Sequence, residues 1–150
     1  MKDLQTLENL RKELRANFGF TKSAFKEYVG PLLKHQLFSK RNAPQHDVFM
    51  MAFIFGHKHD YVVETKNSEM NRNIRREIFT TEDLSIILSV VLAQNVETQD
   101  YKILNDMKNV SDIMENYVNG GIKLLYDFVF KTGGDLLYHF LKEIPESPNP

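Results

Sequence analysis

Hydrophobic side chains recur every three or four residues along most of this chain, which is the spacing of one face of an α-helix. The first such pattern predicts an amphipathic helix that ends near Gly19, with an apolar face of Leu4, Leu7, Leu10 and Leu14. A second helical stretch is predicted from Thr21 to Phe38. We expect Gly30 and Pro31 to interrupt it, because proline lacks a backbone donor and restricts the preceding residue.

The middle of the chain is harder to assign from its pattern. Residues 48–55 are apolar at every position, which suits a buried helix or a buried strand. Asp47 as an N-cap and Gly56 as a C-terminal stop favour the helix. Residues 61–65 favour an extended arm or a two-stranded ribbon, and residues 66–77 are polar, with a helix expected from Asn73.

Two long helices are predicted in the second half. Residues 81–95 carry apolar side chains at helical spacing, and Thr80 and Asp83 have the spacing of a capping box. Ser111 is predicted to cap a helix that contains Gly120 and Gly121. Two glycines inside a helix cost about 2 kcal/mol relative to alanine, so we expect them to serve close packing or a kink.

These elements predict an all-α protein, a compact bundle of five to seven helices with a short extended or β-ribbon segment near residues 61–65. Gly133 and Gly134 are expected to end the long helix, and residues 136–141 to form a last one. The length of 150 residues suits one domain, predicted over 1–144, followed by a disordered tail at 145–150.

Composition narrows the class of protein further. The chain has no cysteine, which excludes disulfides, thiolate metal sites and cysteine nucleophiles and fits a reducing compartment. The charged N-terminus lacks the apolar region of a signal peptide, and no apolar run approaches the roughly 20 residues that span a bilayer. We therefore expect a cytoplasmic protein without a membrane segment.

Charge is distributed unevenly along the chain. Residues 1–80 hold 14 Lys and Arg against 9 Asp and Glu, whereas residues 81–150 hold 5 against 11. A basic face toward an acidic partner is one interpretation, and a mixed solvated surface is the other. The candidate nucleic-acid residues lie in the basic half: Lys34, Lys40, Arg41, Arg72, Arg75 and Arg76, with the last three expected on one helix face.

Catalytic motifs are scarce. His57, His59 and Asp60 are residue types that bind zinc or manganese, but their spacing suits neither a strand nor a helix, and a polar turn is the favoured interpretation. The chain has no nucleophile elbow, phosphate-binding loop or dinucleotide fingerprint. We expect no enzyme activity, no cofactor and no metal, with a metal-dependent nuclease or phosphoesterase at these three residues as the alternative.

Two segments carry a family resemblance. HDVFMMAFIFGHKHD is similar to a D-x-F-M-x-A-x-x-x-G-x-K stretch, and IMENYVNGGIKLL resembles an E-x-Y-x-N-G-G-I signature, both of the DNA phosphorothioation (Dnd)-associated protein 4 family. The resemblance covers residues 46–140. The segment HKHDYVV after Gly56 departs from the pattern, so no role is implied for that loop. The matching residues are Asp47, Phe49, Met50, Ala52, Gly56, Lys58, Glu115, Tyr117, Asn119, Gly120, Gly121 and Ile122.

The resemblance implies a context, bacterial DNA modification and anti-phage defence, and no catalytic residues. The expected function is thus a non-catalytic accessory or adaptor subunit that binds a partner protein, with double-stranded DNA as a further candidate ligand. A homo-oligomer is compatible with this expectation. A free-standing DNA-binding regulator is the third alternative.

Overall fold

The computed structural model describes residues 2–94 and 101–131. Within them the chain is mostly helical, with one small antiparallel sheet, so the predicted fold class is confirmed. In chain order the elements are α1 (Lys2–Glu13), β1 (Asn17–Thr21), α2 (Lys22–Ala24), a π-helical turn (Phe25–Val29), α3 (Gly30–Lys34), α4 (Gln36–Ser39), α5 (Pro44–Lys58), β2 (Met70–Arg75), α6 (Thr81–Gln94) and α7 (Met107–Lys131). Single 3₁₀ turns occupy Asn67–Glu69, Arg76–Ile78 and Tyr101–Asn105. The predicted helix end at 133–134, the last helix at 136–141 and the tail lie outside the described residues.

The core is built around α5 and α7, which contact each other more extensively than any other described pair of elements. Aromatic rings from the sheet enter this core from one side. The ring centroids of Phe18 and Phe79 are 5.2 Å apart, and those of Phe20 and Phe49 are 5.8 Å apart, both edge to face. Such pairs stabilise a core by about 1 kcal/mol beyond their buried area.

The small sheet replaces two predicted helical segments. β1 pairs antiparallel with β2, with Phe18 opposite Ile74 and Phe20 opposite Asn71, and a bulge lies between the two pairs. The prediction that the first helix continues to Gly19 is therefore wrong, as is the helix expected from Asn73. Gly19 is required because a side-chain carbon there would lie 2.7 Å from the Cα of Arg72.

Residues 61–66 form neither helix nor strand, and hydrogen bonds hold them to the two central helices. The N–H of Tyr61 donates to the carbonyl of Gly56 at 2.8 Å, and the N–H of Val63 donates to that of Asn116 at 3.0 Å. The β-ribbon itself forms elsewhere, between β1 and β2.

Helix termini differ from the predictions in three places. α5 begins at Pro44, which is tolerated in a first turn, so Asp47 lies inside the helix and is not its N-cap. Gly56 also lies inside α5 instead of stopping it. α7 begins at Met107, where the Asp106 side chain accepts from the N–H of Asn109 at 3.1 Å, so Ser111 is internal rather than the cap.

Of two further local predictions, one is confirmed. The capping box of α6 forms in both directions: the N–H of Asp83 donates to the hydroxyl of Thr80 at 3.1 Å, and the N–H of Thr80 donates to the carboxylate of Asp83 at 2.9 Å. Pro31 falls in the first turn of α3. The predicted interruption at Gly30 and Pro31 is wrong, because helical turns continue without a break from Lys22 to Lys34. The segment Phe25–Val29 widens into a π-helical turn, in which the N–H of Gly30 donates to the carbonyl of Phe25, and the chain leaves the helix only at His35, whose ψ is 145°.

Candidate functional site

A buried carboxylate, Glu115 in the middle of α7, holds the sheet against the helix bundle. Its side chain is 2% exposed. It accepts from the backbone N–H of Gly19 at 3.1 Å and from the guanidinium of Arg72 at 2.9 and 3.0 Å. Arg15 also pairs with it, and with Asp112 one turn earlier. Hydrogen bonding to Glu115 raises the pKa of Arg72.

Asn119, one turn after Glu115, continues this attachment. Its side-chain oxygen accepts from the N–H of Thr21 at 3.0 Å, and its amide donates to the carbonyl of Glu115 at 2.8 Å. Ser111, one turn before Glu115, accepts from the N–H of Arg15 at 3.1 Å. The polar side of α7 thereby occupies the main-chain donors along the outer edge of β1.

Gly120 and Gly121 permit the close approach that the sequence predicts. A side-chain carbon on Gly121 would overlap the carbonyl oxygen of Ala52 and lie 2.5 Å from the nitrogen of Gly56. One on Gly120 would lie 2.8 Å from the carbonyl carbon of Tyr61. A side-chain carbon on Gly56 would overlap the carbonyl oxygen of Tyr117 in the same way, so this position requires glycine although it lies inside α5. The signature residues are thus occupied in holding α5, α7 and the sheet together.

A second buried polar cluster centres on His46, which no motif or spacing in the sequence identifies. Its ring lies 2.8 Å from the carboxylate of Asp47 and 2.6 Å from that of Asp83. Burial opposes protonation of the ring, but the hydrogen bonds to Asp47 and Asp83 outweigh it and raise the pKa of His46 to about 9. The protonated imidazole joins the first turn of α5 to the cap of α6.

The six predicted DNA-contacting residues do not form one surface. Arg41 is 11% exposed and pairs with Asp47. Arg72 points to Glu115, and Arg76 donates to the carbonyl of Leu14 at 2.8 Å. The helix face expected for Arg72, Arg75 and Arg76 does not exist, because the first two lie on a strand. Three of the six are exposed and without an ion pair to any described residue: Lys34, Lys40 and Arg75.

The candidate metal residues lie at the exposed end of α5. The ring of His57 packs edge-on against Tyr117 at 5.8 Å, and that of His59 lies 6.3 Å from Phe55. Asp60 follows with a positive φ of 51°, in the tight turn that leaves the helix. Within residues 2–94 and 101–131, no three His, Asp or Glu side chains are grouped to hold a metal ion.

One exposed surface is unusual in its composition. Glu82 is the last charged residue on the exposed side of α6, and over the following three turns this side presents small and apolar side chains. Ile86 is 43% exposed. The hydroxyl of Ser89 donates to the carbonyl of Ser85 at 2.6 Å, so it is satisfied within the helix. We call this surface the α6 face: Ser85, Ile86, Ser89, Val90 and Ala93.

A second exposed apolar segment, Tyr61, Val62 and Val63, follows α5. Their exposed fractions are 52%, 50% and 37%. Its main chain is held to α5 and α7, so the side chains project from a fixed backbone. The hydroxyl of Tyr117 accepts a hydrogen bond from the amide of Gln94 at the end of α6. Burial and, to a lesser extent, nearby Asp60 raise the pKa of Tyr117.

The fold and these surfaces define a small, mostly helical protein whose buried polar residues are used to assemble the fold. The family model of DNA sulphur modification system-associated protein 4 matches residues 37–146, and the chain belongs to this family. No curated protein and no solved structure matches the chain. Among the described helices, none combines the length and hydrophobicity needed to cross a membrane.

Proposed function

We propose that this chain is a non-catalytic accessory subunit of a DNA sulphur modification system, and that it binds a partner protein of that system through the α6 face. The α6 face carries this proposal. A solvated helix normally presents charged side chains on its outer side, and this one has none after Glu82. Interface cores are depleted of charge in the same way.

The residues of the family signature make their hydrogen bonds inside the protein, which supports a binding role for the chain over a catalytic one. Glu115 and Asn119 are buried and saturated with hydrogen bonds from the main chain and from arginines. A general acid or base must reach a substrate, and a carboxylate enclosed by two guanidinium groups does not. The signature residues maintain the framework that presents the surface of α6.

Protein partnership is favoured over DNA contact on electrostatic grounds. The formal net charge of the chain is −1, and three of the six candidate cations are used inside the fold. Neutralising phosphates with the remaining three would release few counterions, so DNA affinity would be weak at physiological salt.

Co-expression with the component proteins of a DNA sulphur modification system tests the proposal. We expect a tagged chain to co-purify with one of them, and Ile86→Glu to reduce the recovered partner at least tenfold, because a buried unpaired charge disfavours association. Val62→Glu, which places the same charge on the other apolar surface, is the matched control and should retain the partner.

Two results would contradict the proposal. Equal recovery with wild type and Ile86→Glu would mean that the α6 face is not the interface. Sedimentation as a dimer that Ile86→Glu disrupts, with no modification protein bound, would assign the surface to a second copy of the chain. Both variants alter exposed side chains, so their melting temperatures should remain close to that of the wild type.

A further inference from the structure

The two edges of the sheet differ in whether they are occupied. On the outer edge of β1, the N–H groups of Gly19 and Thr21 donate to Glu115 and Asn119. At the start of β2 the N–H of Met70 donates to the carbonyl of Asn67, but the main chain of Asn73 and Arg75 makes no backbone hydrogen bond to described residues outside the sheet. An unpaired strand edge is a ready template for another extended segment.

The register shows which groups that edge offers. The N–H of Arg76 donates to the carbonyl of Ala16 at 2.9 Å, and Arg75 lies opposite Asn17. Hydrogen-bonding direction alternates along an antiparallel strand, so the N–H and C=O of Arg75 point away from β1. The side chains of Asn73 and Arg75 are both exposed, which leaves this stretch accessible.

A small apolar hollow lies beside this edge. Its volume is about 160 Å³, and its lining includes Ala43, Pro44, Ile74 and Ile78. A cavity of about 150 Å³ can hold a benzene ring, so this one has room for a single large apolar side chain. In strand addition, main-chain hydrogen bonds supply affinity and such side pockets supply specificity.

The charges around the outer edge of β2 indicate which kind of peptide segment would bind there. Arg75 is the exposed cation of β2 and forms no ion pair with a described residue. The strand itself contains no carboxylate, and Glu69 and Glu77 lie beyond its two ends. His46, which also lines the hollow, carries a positive charge already matched by Asp47 and Asp83. The complementary segment is therefore acidic.

We propose that the outer edge of β2 receives an extended, acidic segment of a partner protein as a third strand, with one apolar side chain in the hollow and a carboxylate beside Arg75. This inference rests on the proposed function, because the partner is taken from the same modification system. It concerns a different surface from the α6 face, so the chain would bind partner protein at two places, as an adaptor does.

Two substitutions of Arg75 distinguish the contribution of its main-chain hydrogen bond to binding from that of its side-chain charge. Arg75 has a φ of −75°, close to the value that proline requires, and its N–H is not used in pairing with β1. Arg75→Pro therefore removes the outward donor while the sheet persists, as proline does on edge strands. Arg75→Gln is the matched control, since it removes the charge and keeps the donor.

The experiment uses the full chain and overlapping peptides of about ten residues, long enough for one strand, which together cover the component proteins of a DNA sulphur modification system. We expect the wild type to bind peptides that combine alternating apolar residues with Asp or Glu. Arg75→Gln should weaken them severalfold, and Arg75→Pro at least tenfold more than Arg75→Gln. Amide shifts in NMR spectra should concentrate at Asn73, Arg75 and Ile78.

The inference is overturned if no peptide binds at about 1 mM, or if Arg75→Pro and Arg75→Gln bind equally well. A melting temperature of Arg75→Pro close to that of Arg75→Gln shows that the sheet is intact. Failure here leaves capture of the intact partner through Ile86 unchanged. If peptides still bind but the wild-type chain captures no partner, or Ile86→Glu captures as much as the wild type, only the proposed role of the α6 face is contradicted.

Discussion

The main chain of Gly121 in α7 lies directly against the carbonyl of Ala52 in α5, with no space for a side-chain carbon between them. This contact sets the separation of the two central helices. It also sets the position of Glu115 and Asn119, which lie on the same helix and hold the sheet. The close packing and the buried polar attachment are therefore two consequences of one helix placement.

Gly121→Ala should destabilise the protein by about 3 kcal/mol, because the added methyl overlaps main-chain atoms that cannot move independently. Gly30→Ala is the matched control. A side-chain carbon there would meet only the Phe25 carbonyl oxygen, at 3.4 Å, so this change should stabilise by up to about 1 kcal/mol. Urea unfolding measures both, and equal effects of the two substitutions would contradict the packing argument.

Glu115→Gln should destabilise by at least about 2 kcal/mol, because it leaves two guanidinium groups without their shared carboxylate. Asp112→Asn removes the other, largely exposed partner of Arg15 and should cost less than about 1 kcal/mol. Thermal unfolding of the two variants compares these costs. A smaller loss for Glu115→Gln than for Asp112→Asn would mean that the buried carboxylate is not what holds the sheet.

Stability should fall as the pH rises from about 6.5 to about 9. The pKa of His46 is raised from 6.5 to about 9 in the folded protein, so its contribution is complete below 6.5 and is lost as the folded state deprotonates. The shift corresponds to a contribution on the order of 3 kcal/mol. Chemical unfolding across this pH range measures the slope.

His46→Gln should flatten that slope and lower stability at pH 7, because Asp47 and Asp83 lose their cationic partner. His59→Gln, which changes an exposed histidine, is the control and should leave the slope intact. A wild-type slope that persists in His46→Gln would assign the pH dependence to another group.

Any DNA affinity should depend on the exposed cations and not on Arg72. Replacing Lys34, Lys40 and Arg75 with alanine should shallow the logarithmic salt dependence of duplex binding by up to about 0.9 per residue. Arg72→Ala should instead lower the melting temperature, because it breaks the contact with Glu115. Reduced DNA affinity in Arg72→Ala at unchanged stability would contradict this assignment.

Purified protein should contain no stoichiometric zinc or manganese. His57 and His59 contact aromatic rings at an exposed helix end, where no third ligand is grouped with them in the described residues. Elemental analysis measures the content. A bound metal that disappears in the double variant His57→Ala with His59→Ala would restore the nuclease or phosphoesterase alternative.

Local sequence signals predicted local structure well. The capping box of α6, the apolar spacing of that helix and the need for glycine at positions 120 and 121 are confirmed. Each depends on residues within a few positions of one another, or on the absence of a side chain at one position. The family resemblance was also readable, because its signature lies in two short segments.

The sheet and the buried polar clusters could not be predicted in the same way. β1 and β2 are separated by about fifty residues, and neither alternates clearly enough to identify its partner. In the sequence, nothing distinguishes Arg72 from an arginine exposed to solvent. Only the pairing of β2 with β1 brings its side chain to Glu115. The same holds for His46, whose two carboxylate partners come from different helices.

The sequence by itself determined the mostly helical class, the strongest helix and its cap, and the positions where only glycine fits. Tertiary structure decided which cations remain on the surface, which carboxylates become buried and which strand edge stays open. The physical reason is range: helices are specified by neighbours three and four residues apart, whereas strand pairing and buried ion pairs require residues that meet only when the chain has folded.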